Sequence, residues 1–208
     1  MIDAATLRIH RYPMKTLASR ILALAALLAC TGCSSVLLEK PFPVTSPALD
    51  QEVLSGDWQV EEGFLSIRFR ADGTGNFATP TWKDDRFELE QGEFITAQGP
   101  SNRFFCARVI SDTLPSQYVF ARYAFTATNE VTFWWPRVDV FAAALKAGHL
   151  EGTTEFEESD DESAGKKVKN VTLSTAPEFI LNWMDTTAET NLFQLDNPSV
   201  MRKAVASD

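Results

Sequence analysis

The chain predicts a mainly β fold: an antiparallel meander closing into a barrel or packing as a sandwich, with two short helices in its C-terminal third. Three observations carry this. Segments rich in Phe, Tyr, Trp and Val recur at a spacing of about ten residues. Apolar and polar residues alternate within them, the period of a half-buried strand. Turn chemistry separates them, as at Asp72-Gly73 and Thr128-Asn129. At 208 residues the chain fits one domain with a sizeable core.

The elements follow in order. Leu54-Ser-Gly56-Asp-Trp58-Gln-Val60 is a turn leading into an alternating strand. Leu65, Ile67 and Phe69 alternate with Ser66, Arg68 and Arg70 in the next strand. Asp72-Gly73 marks a hairpin, because glycine supplies the positive φ that tight turns demand. A strand from Gly75 to about Trp82 follows, and Lys83-Asp84-Asp85 makes the next turn. Phe87 to Thr96 is a strand with Phe87, Leu89 and Gln91 on one face, which leaves Asp84, Asp85, Glu88 and Glu90 as a wet face. After the break at Gly99-Pro100-Ser101-Asn102 come three strands, Phe104 to Ile110, Gln117 to Ala127 and Glu130 to Trp135.

Val138, Phe141, Ala142 and Leu145 recur at helical spacing, with Pro136 ahead and Gly148 as a stop. Thr175-Ala-Pro177-Glu178 opens a second helix, with a cap, an early proline and an acid in the first turn. Between the helices, Glu155 to Glu162 forms an acidic loop or hairpin tip, and Lys166 to Ser174 a strand. No obvious closing strand follows the second helix. Ahead of residue 53, Pro41, Pro43 and Pro47 without periodicity predict an extended tether.

The N-terminus has its own pattern. Lys15 and Arg20 precede the apolar run Ile21 to Ala29, which ends on Cys30. The run is too short to span a bilayer, which takes about 20 residues, and the layout is that of an export signal. It resembles the signal and lipobox of bacterial lipoproteins. The resemblance implies cleavage before a cysteine whose thiol carries a diacylglycerol, so that a covalent lipid holds the protein to the membrane. Cys30 follows Leu27-Leu28-Ala29 and matches the pattern; Cys33, after Thr31-Gly32, is the alternative. The residue after the cysteine is Thr31 or Ser34, not aspartate, which in that family implies the outer membrane of the bacterial envelope; the domain is expected to face the periplasm, with the cell surface as the alternative. Met14 opens a signal of ordinary length, so 1–13 precede the expected start. The expected division is a signal over 1–29, a lipidated tether over 30–52 and one domain over 53–208.

The chain carries 19 Lys+Arg against 28 Asp+Glu, a net charge of −9. Arg8, Arg11, Lys15 and Arg20 lie ahead of Cys30, so the remainder is more acidic still. Such a surface repels nucleic acid and anionic headgroups. Beyond Cys30 the one histidine, His149, sits at a helix stop, and a solvated or capping role suits it better than catalysis. No Gly-x-Ser-x-Gly, phosphate loop or Cys-x-x-Cys occurs in the folded part. The acidic stretch near Asp160 lacks the alternating spacing of a calcium loop. No catalytic, metal or cofactor site is therefore expected. Cys106 reads as a buried strand cysteine, with a Cys33–Cys106 disulfide as the other reading. Trp134 and Trp135 point to opposite faces, one into the core.

Gly56-Asp57-Trp58 at the start of the first barrel strand resembles the Gly-x-Trp motif of lipocalins. The resemblance implies an eight-stranded up-and-down barrel whose closed end is plugged by Trp58. It further implies a small apolar or amphipathic ligand held inside this lipocalin-like β-barrel. The alternative is a non-catalytic envelope protein with a solid core that docks a protein partner.

Overall fold

Aromatic and β-branched side chains favour a pleated surface, and a strand with only such residues must bury both its faces. A computed structural model describes residues 34–45, 47–61, 63–83, 86–110, 116–157, 167–188 and 192–204. Cys30, Cys33, Asp84, Asp85 and the acidic stretch beyond Glu157 lie outside them. In chain order the elements are β1 (Ser35–Leu38), α1 (Ala48–Leu54), β2 (Gly56–Val60), β3 (Gly63–Phe69), β4 (Thr74–Lys83), β5 (Arg86–Gln98), β6 (Arg103–Val109), β7 (Tyr118–Ala127) and β8 (Glu130–Trp134). Then come α2 (Val138–Lys146), β9 (Gly152–Phe156), β10 (Val168–Leu173), α3 (Pro177–Thr186) and β11 (Ser199–Lys203).

Strands β2 to β8 form an antiparallel meander, with β6 pairing β7 as well as β5. β11 lies between β8 and β2 and pairs antiparallel with both. The result is a closed antiparallel barrel of eight strands. The closing strand is β11, where no strand was expected. Its core contribution is a single fully buried apolar side chain, Met201, too little to produce a visible alternation.

Three further strands leave the barrel as an extension. β1 pairs antiparallel with the start of β7, through Leu37 opposite Val119 and Leu38 opposite Tyr118. β10 pairs parallel with β1, and β9 completes a hairpin with β10. Glu155, where the acidic stretch starts, lies in β9 opposite Asn170.

Two cores share one wall. Inside the barrel lie Trp58, Leu65, Ile67, Phe77, Phe94, Phe105, Tyr123, Val131, Phe133 and Met201. Outside it, Ile95, Ala97, Phe104, Cys106 and Phe120 on β5–β6–β7 pack against Val36, Leu38 and Phe42 and against Phe141 of α2 and Ile180 of α3. This explains the run Phe104-Phe105-Cys106-Ala107: successive side chains enter opposite cores, and all four are buried.

The extended tether through residue 52 is corrected by the same packing. Val36, Leu38 and Phe42 are 3%, 0% and 2% exposed, and α1 follows directly. Among the described residues the folded body therefore includes β1 and α1.

Candidate functional site

One end of the barrel is plugged. α1 lays Leu54 and Asp50 into the opening, both buried. The Trp58 indole N–H donates to the Leu54 carbonyl at 2.8 Å. Lys203 Nζ stands 5.5 Å from the centre of the Trp58 ring and donates to the Val53 carbonyl at 3.3 Å. Gly56 has φ +139°, and a Cβ there would meet Lys203 Cε at 3.0 Å. The two named residues of Gly56-Asp57-Trp58 thus have separate duties: the glycine lets the lysine pass, and the tryptophan fills the plugged end. Asp57 is exposed and accepts from the Ser66 hydroxyl at 2.7 Å and from Arg68 at 3.0 Å. Those bonds hold its carboxyl below the usual carboxylate range.

Asp50 pins the plug. Arg103 Nε donates to its Oδ2 at 2.6 Å, and the Tyr123 hydroxyl donates to the same oxygen at 3.3 Å. Arg103 also lies 5.5 Å from the Phe125 ring centre. The β3–β4 turn sits under α1; Gly73, at φ +80°, faces Val44 and Gln51, and Asp72 accepts the Thr74 N–H at 2.9 Å. Asp72-Gly73 is therefore the turn, and Thr74 and Gly75 open β4.

The interior is occupied by rings. Phe69 and Phe94 stand edge to face at 6.1 Å, Phe94 stacks on Phe105 at 5.0 Å, and Phe105 meets Phe133 at 5.0 Å and Trp135 at 6.0 Å. This column crosses the barrel from the β3–β4 turn to the end of β8. There the Trp135 indole N–H donates to Ser199 Oγ at 2.9 Å. Trp134 is on the other face, its ring 4.0 Å from the Arg122 guanidinium. Of the tryptophan pair, Trp135 joins the inner core and Trp134 covers the outer wall.

The β4–β5 hairpin carries the most unusual surface. Its side chains alternate as expected, but which face is wet is reversed. Glu88 and Glu90 stand opposite Thr81 and Thr79, on the face that continues the barrel interior, and are half-buried. Phe87 and Leu89 are 67% and 57% exposed on the outer face. The reason is positional. β5 pairs with β6 only from Gly92 onward, so its first residues extend past the rim, where no described strand pairs with them on the β6 side. Leu89 is opposite Pro80, and the Ser66–Ala78 register places Phe64 opposite Pro80 from the other side. Phe64 is 55% exposed. Ile110, also exposed, donates its N–H to the Gln91 carbonyl at 2.9 Å. Phe64, Pro80, Phe87, Leu89 and Ile110 thus make an apolar patch on the outside of the barrel.

An ionic boundary separates this patch from the covered outer core. Glu93 accepts from Arg108 Nε at 2.8 Å and from the Tyr118 hydroxyl at 3.0 Å. Arg108 also donates to Ser116 Oγ and lies over the Tyr118 ring. The Arg108 hydrogen bond holds the Glu93 carboxyl below its ordinary range. Burial, and then the bond to Glu93, pushes the Tyr118 hydroxyl up to about 12.

The remaining sequence candidates fall apart from one another. His149 is exposed in the turn after α2. Cys106 is a free, fully buried thiol that accepts the Phe42 N–H at 3.4 Å. Burial raises it to about 12. Thr175 does not cap α3; its hydroxyl bonds the backbone of Glu151. Cys30 and Cys33 lie outside the described residues. Among the described residues no group of His, Cys, Asp or Glu is placed to hold a metal ion, and no helix is long and apolar enough to cross a membrane. No family model, curated protein or solved structure matches the chain. The patch on the β4–β5 hairpin is what sequence reasoning missed. Its signal, Phe87 and Leu89 alternating with Glu88 and Glu90, was present but did not say which face the fold leaves bare.

Proposed function

We propose that this protein is a lipid-anchored lipoprotein of the bacterial envelope, acylated at Cys30, whose barrel is a solid, non-catalytic scaffold that docks a partner protein through the patch of Phe64, Pro80, Phe87, Leu89 and Ile110. The observation that carries the docking reading is the aromatic column through the barrel. An eight-stranded barrel is only just wide enough to be filled by its own side chains. Here Phe77, Phe94, Phe105 and Phe133 are each 8% exposed or less. The ligand-holding reading that follows from the lipocalin resemblance needs the space these rings occupy. A bare apolar patch bordered by charged groups is the usual make-up of a protein contact. The lipid anchor rests on the lipobox pattern, whose Thr31 or Ser34 after the cysteine also favours the outer membrane.

Native mass spectrometry of the chain from Ser34 onward, purified without detergent, tests the barrel. A bare protein mass supports a filled core; a retained lipid-sized mass restores the ligand reading. For the patch, Phe87→Ser with Leu89→Ser should remove specific cross-linked neighbours in intact envelopes while leaving thermal stability close to wild type. Cross-links unchanged in that variant remove the patch from the proposal. Cys30→Ser should abolish fatty-acid incorporation; normal incorporation moves the anchor to Cys33.

A further inference from the structure

The β4–β5 hairpin projects beyond its neighbours, so past the rim it has two edges of its own. β3 is paired with β4 as far as Ser66 opposite Ala78, and β6 with β5 as far as Val109 opposite Gly92. Beyond these pairs β4 and β5 stay in register with each other out to Lys83 opposite Arg86.

The two edges differ in what they offer a further strand. Backbone polar groups of successive residues point to alternate sides of a strand. On β5 the Gln91 carbonyl faces the β6 side, where it accepts the Ile110 N–H at 2.9 Å, and Gly99 donates on that same side to Asn102. By this alternation the N–H and C=O of Leu89 face the β6 side too, and no described residue bonds them there. On β4, Thr79 and Thr81 turn toward Glu90 and Glu88 of β5, so Pro80 turns toward β3. Proline has no N–H to give, and on an edge it blocks strand addition. The β5 edge, Arg86-Phe-Glu-Leu-Glu-Gln91, contains no proline.

The side chains fix what an added strand would meet. On the outer face it lies beside Leu89, 57% exposed. On the inner face it lies beside Glu88 and Glu90, both half-buried, with Arg86 paired to Glu88. Opposite charges facing each other across a strand pair are favourable, and like charges are not. A second copy pairing antiparallel about Leu89 would set each Glu88 opposite the other copy's Glu90. The net charge of −9 likewise repels a copy and draws a basic partner.

Resting on the docking reading above, we propose that the partner adds a strand to the β5 edge at Leu89, antiparallel and in the line of β6. The added segment alternates apolar residues with lysine or arginine. Its apolar side chains continue the patch of Phe64, Pro80 and Leu89, and its cations stand against Glu88 and Glu90. Strand addition takes affinity from main-chain bonds and specificity from alternate side chains. The edge from Phe87 to Gln91 is about 13 Å long, room for a segment of about five residues.

The test uses the full mature protein and an end-blocked peptide, Thr-Lys-Val-Lys-Val-Lys-Thr. One control peptide has glutamate for lysine. The other is N-methylated at its valines, whose N–H groups would face Leu89. Amide hydrogen exchange is read residue by residue by NMR. The lysine peptide should slow exchange at Leu89 several-fold, and both controls should leave it unchanged. No protection by the lysine peptide, or equal protection by the N-methylated one, overturns strand addition. Leu89→Pro removes the edge N–H, keeps an apolar residue and leaves the ladder intact, so thermal stability should stay close to wild type. It should lose the envelope cross-links, as the variant with serine at both Phe87 and Leu89 does. Cross-links kept in Leu89→Pro but lost with the two serines overturn strand addition alone. Cross-links kept in both overturn the docking reading and this inference with it.

Discussion

Phe105 is the residue on which the solid-barrel reading can be tried hardest. Its ring stacks on Phe94, meets Phe133 and Trp135 edge to face, and is 6% exposed. Truncating a buried Phe to Ala costs about 3–5 kcal/mol, rising with the volume left empty. Phe105 should sit at the upper end. It loses three ring contacts at once, and each such pair adds about 0.5–1.5 kcal/mol beyond burial. For a domain of this size that is a fall in Tm of about 10 °C or more. The void left in Phe105→Ala is roughly that of a benzene ring, and dry apolar voids of this kind take up benzene or xenon. Urea unfolding followed by tryptophan fluorescence, with and without benzene, measures both effects. The variant should be destabilised by that amount and partly rescued by benzene, while the wild type is indifferent to it. A loss under about 1 kcal/mol, against the range for buried aromatic truncation, refutes the filled core. Equal stabilisation of the wild type by benzene does so too, because it means a cavity already exists.

Other consequences follow from single side chains. Asp50→Asn should loosen the α1 plug by about 1–3 kcal/mol, since it removes the charge that Arg103 and Tyr123 share; unfolding free energy reads this, and Asp50→Glu should not rescue it fully. Cys106, buried and raised to about 12, should resist alkylation in the folded protein and label only at the rate of global opening. Stability should fall in acid, as Glu93 is protonated below its ordinary value of 4.5, because a carboxylate held low when folded stabilises only while ionised; Glu93→Gln should flatten that limb. Tyr118 is raised to about 12 from 10, so it favours the folded state below pH 10 and this contribution is lost from there upward. Tyr118→Phe should remove that alkaline loss, measured by thermal unfolding across the range.

The meander and both C-terminal helices were legible because their signals are local. Asp72-Gly73 makes its turn, and α2 and α3 begin after Pro136 and at Pro177 and contain the spaced apolar residues that face the outer core. What escaped depends on partners far away in sequence. β1 is four residues whose place is set by β10, with Ser35 opposite Asn170. Nothing within Ser-Val-Leu-Leu distinguishes it from the tail of an export signal. α1 is seven residues with no side-chain cap, and the proline ahead of it reads equally as tether. For the candidate site, Gly56 and Trp58 were legible as a motif, whereas Lys203, which passes the glycine and covers the tryptophan, comes from the unforeseen β11. Phe87 and Leu89 were legible as a face, but alternation is symmetric between an inside and an outside, and only the early end of β6 decides which is bare.

The seam of the barrel has a consequence for how the chain reaches its fold. β11 joins β2 with Arg202 opposite Gln59, so the ring is sealed by residues more than 140 positions apart in the sequence. Contacts so distant in sequence are slow to form. Until the last strand arrives, β2 and β8 each present an unpaired edge, the kind that recruits other strands. Closure of the ring thus waits on its most distant strand, and losing the five residues of β11 would leave a sheet with two adhesive borders in place of a barrel.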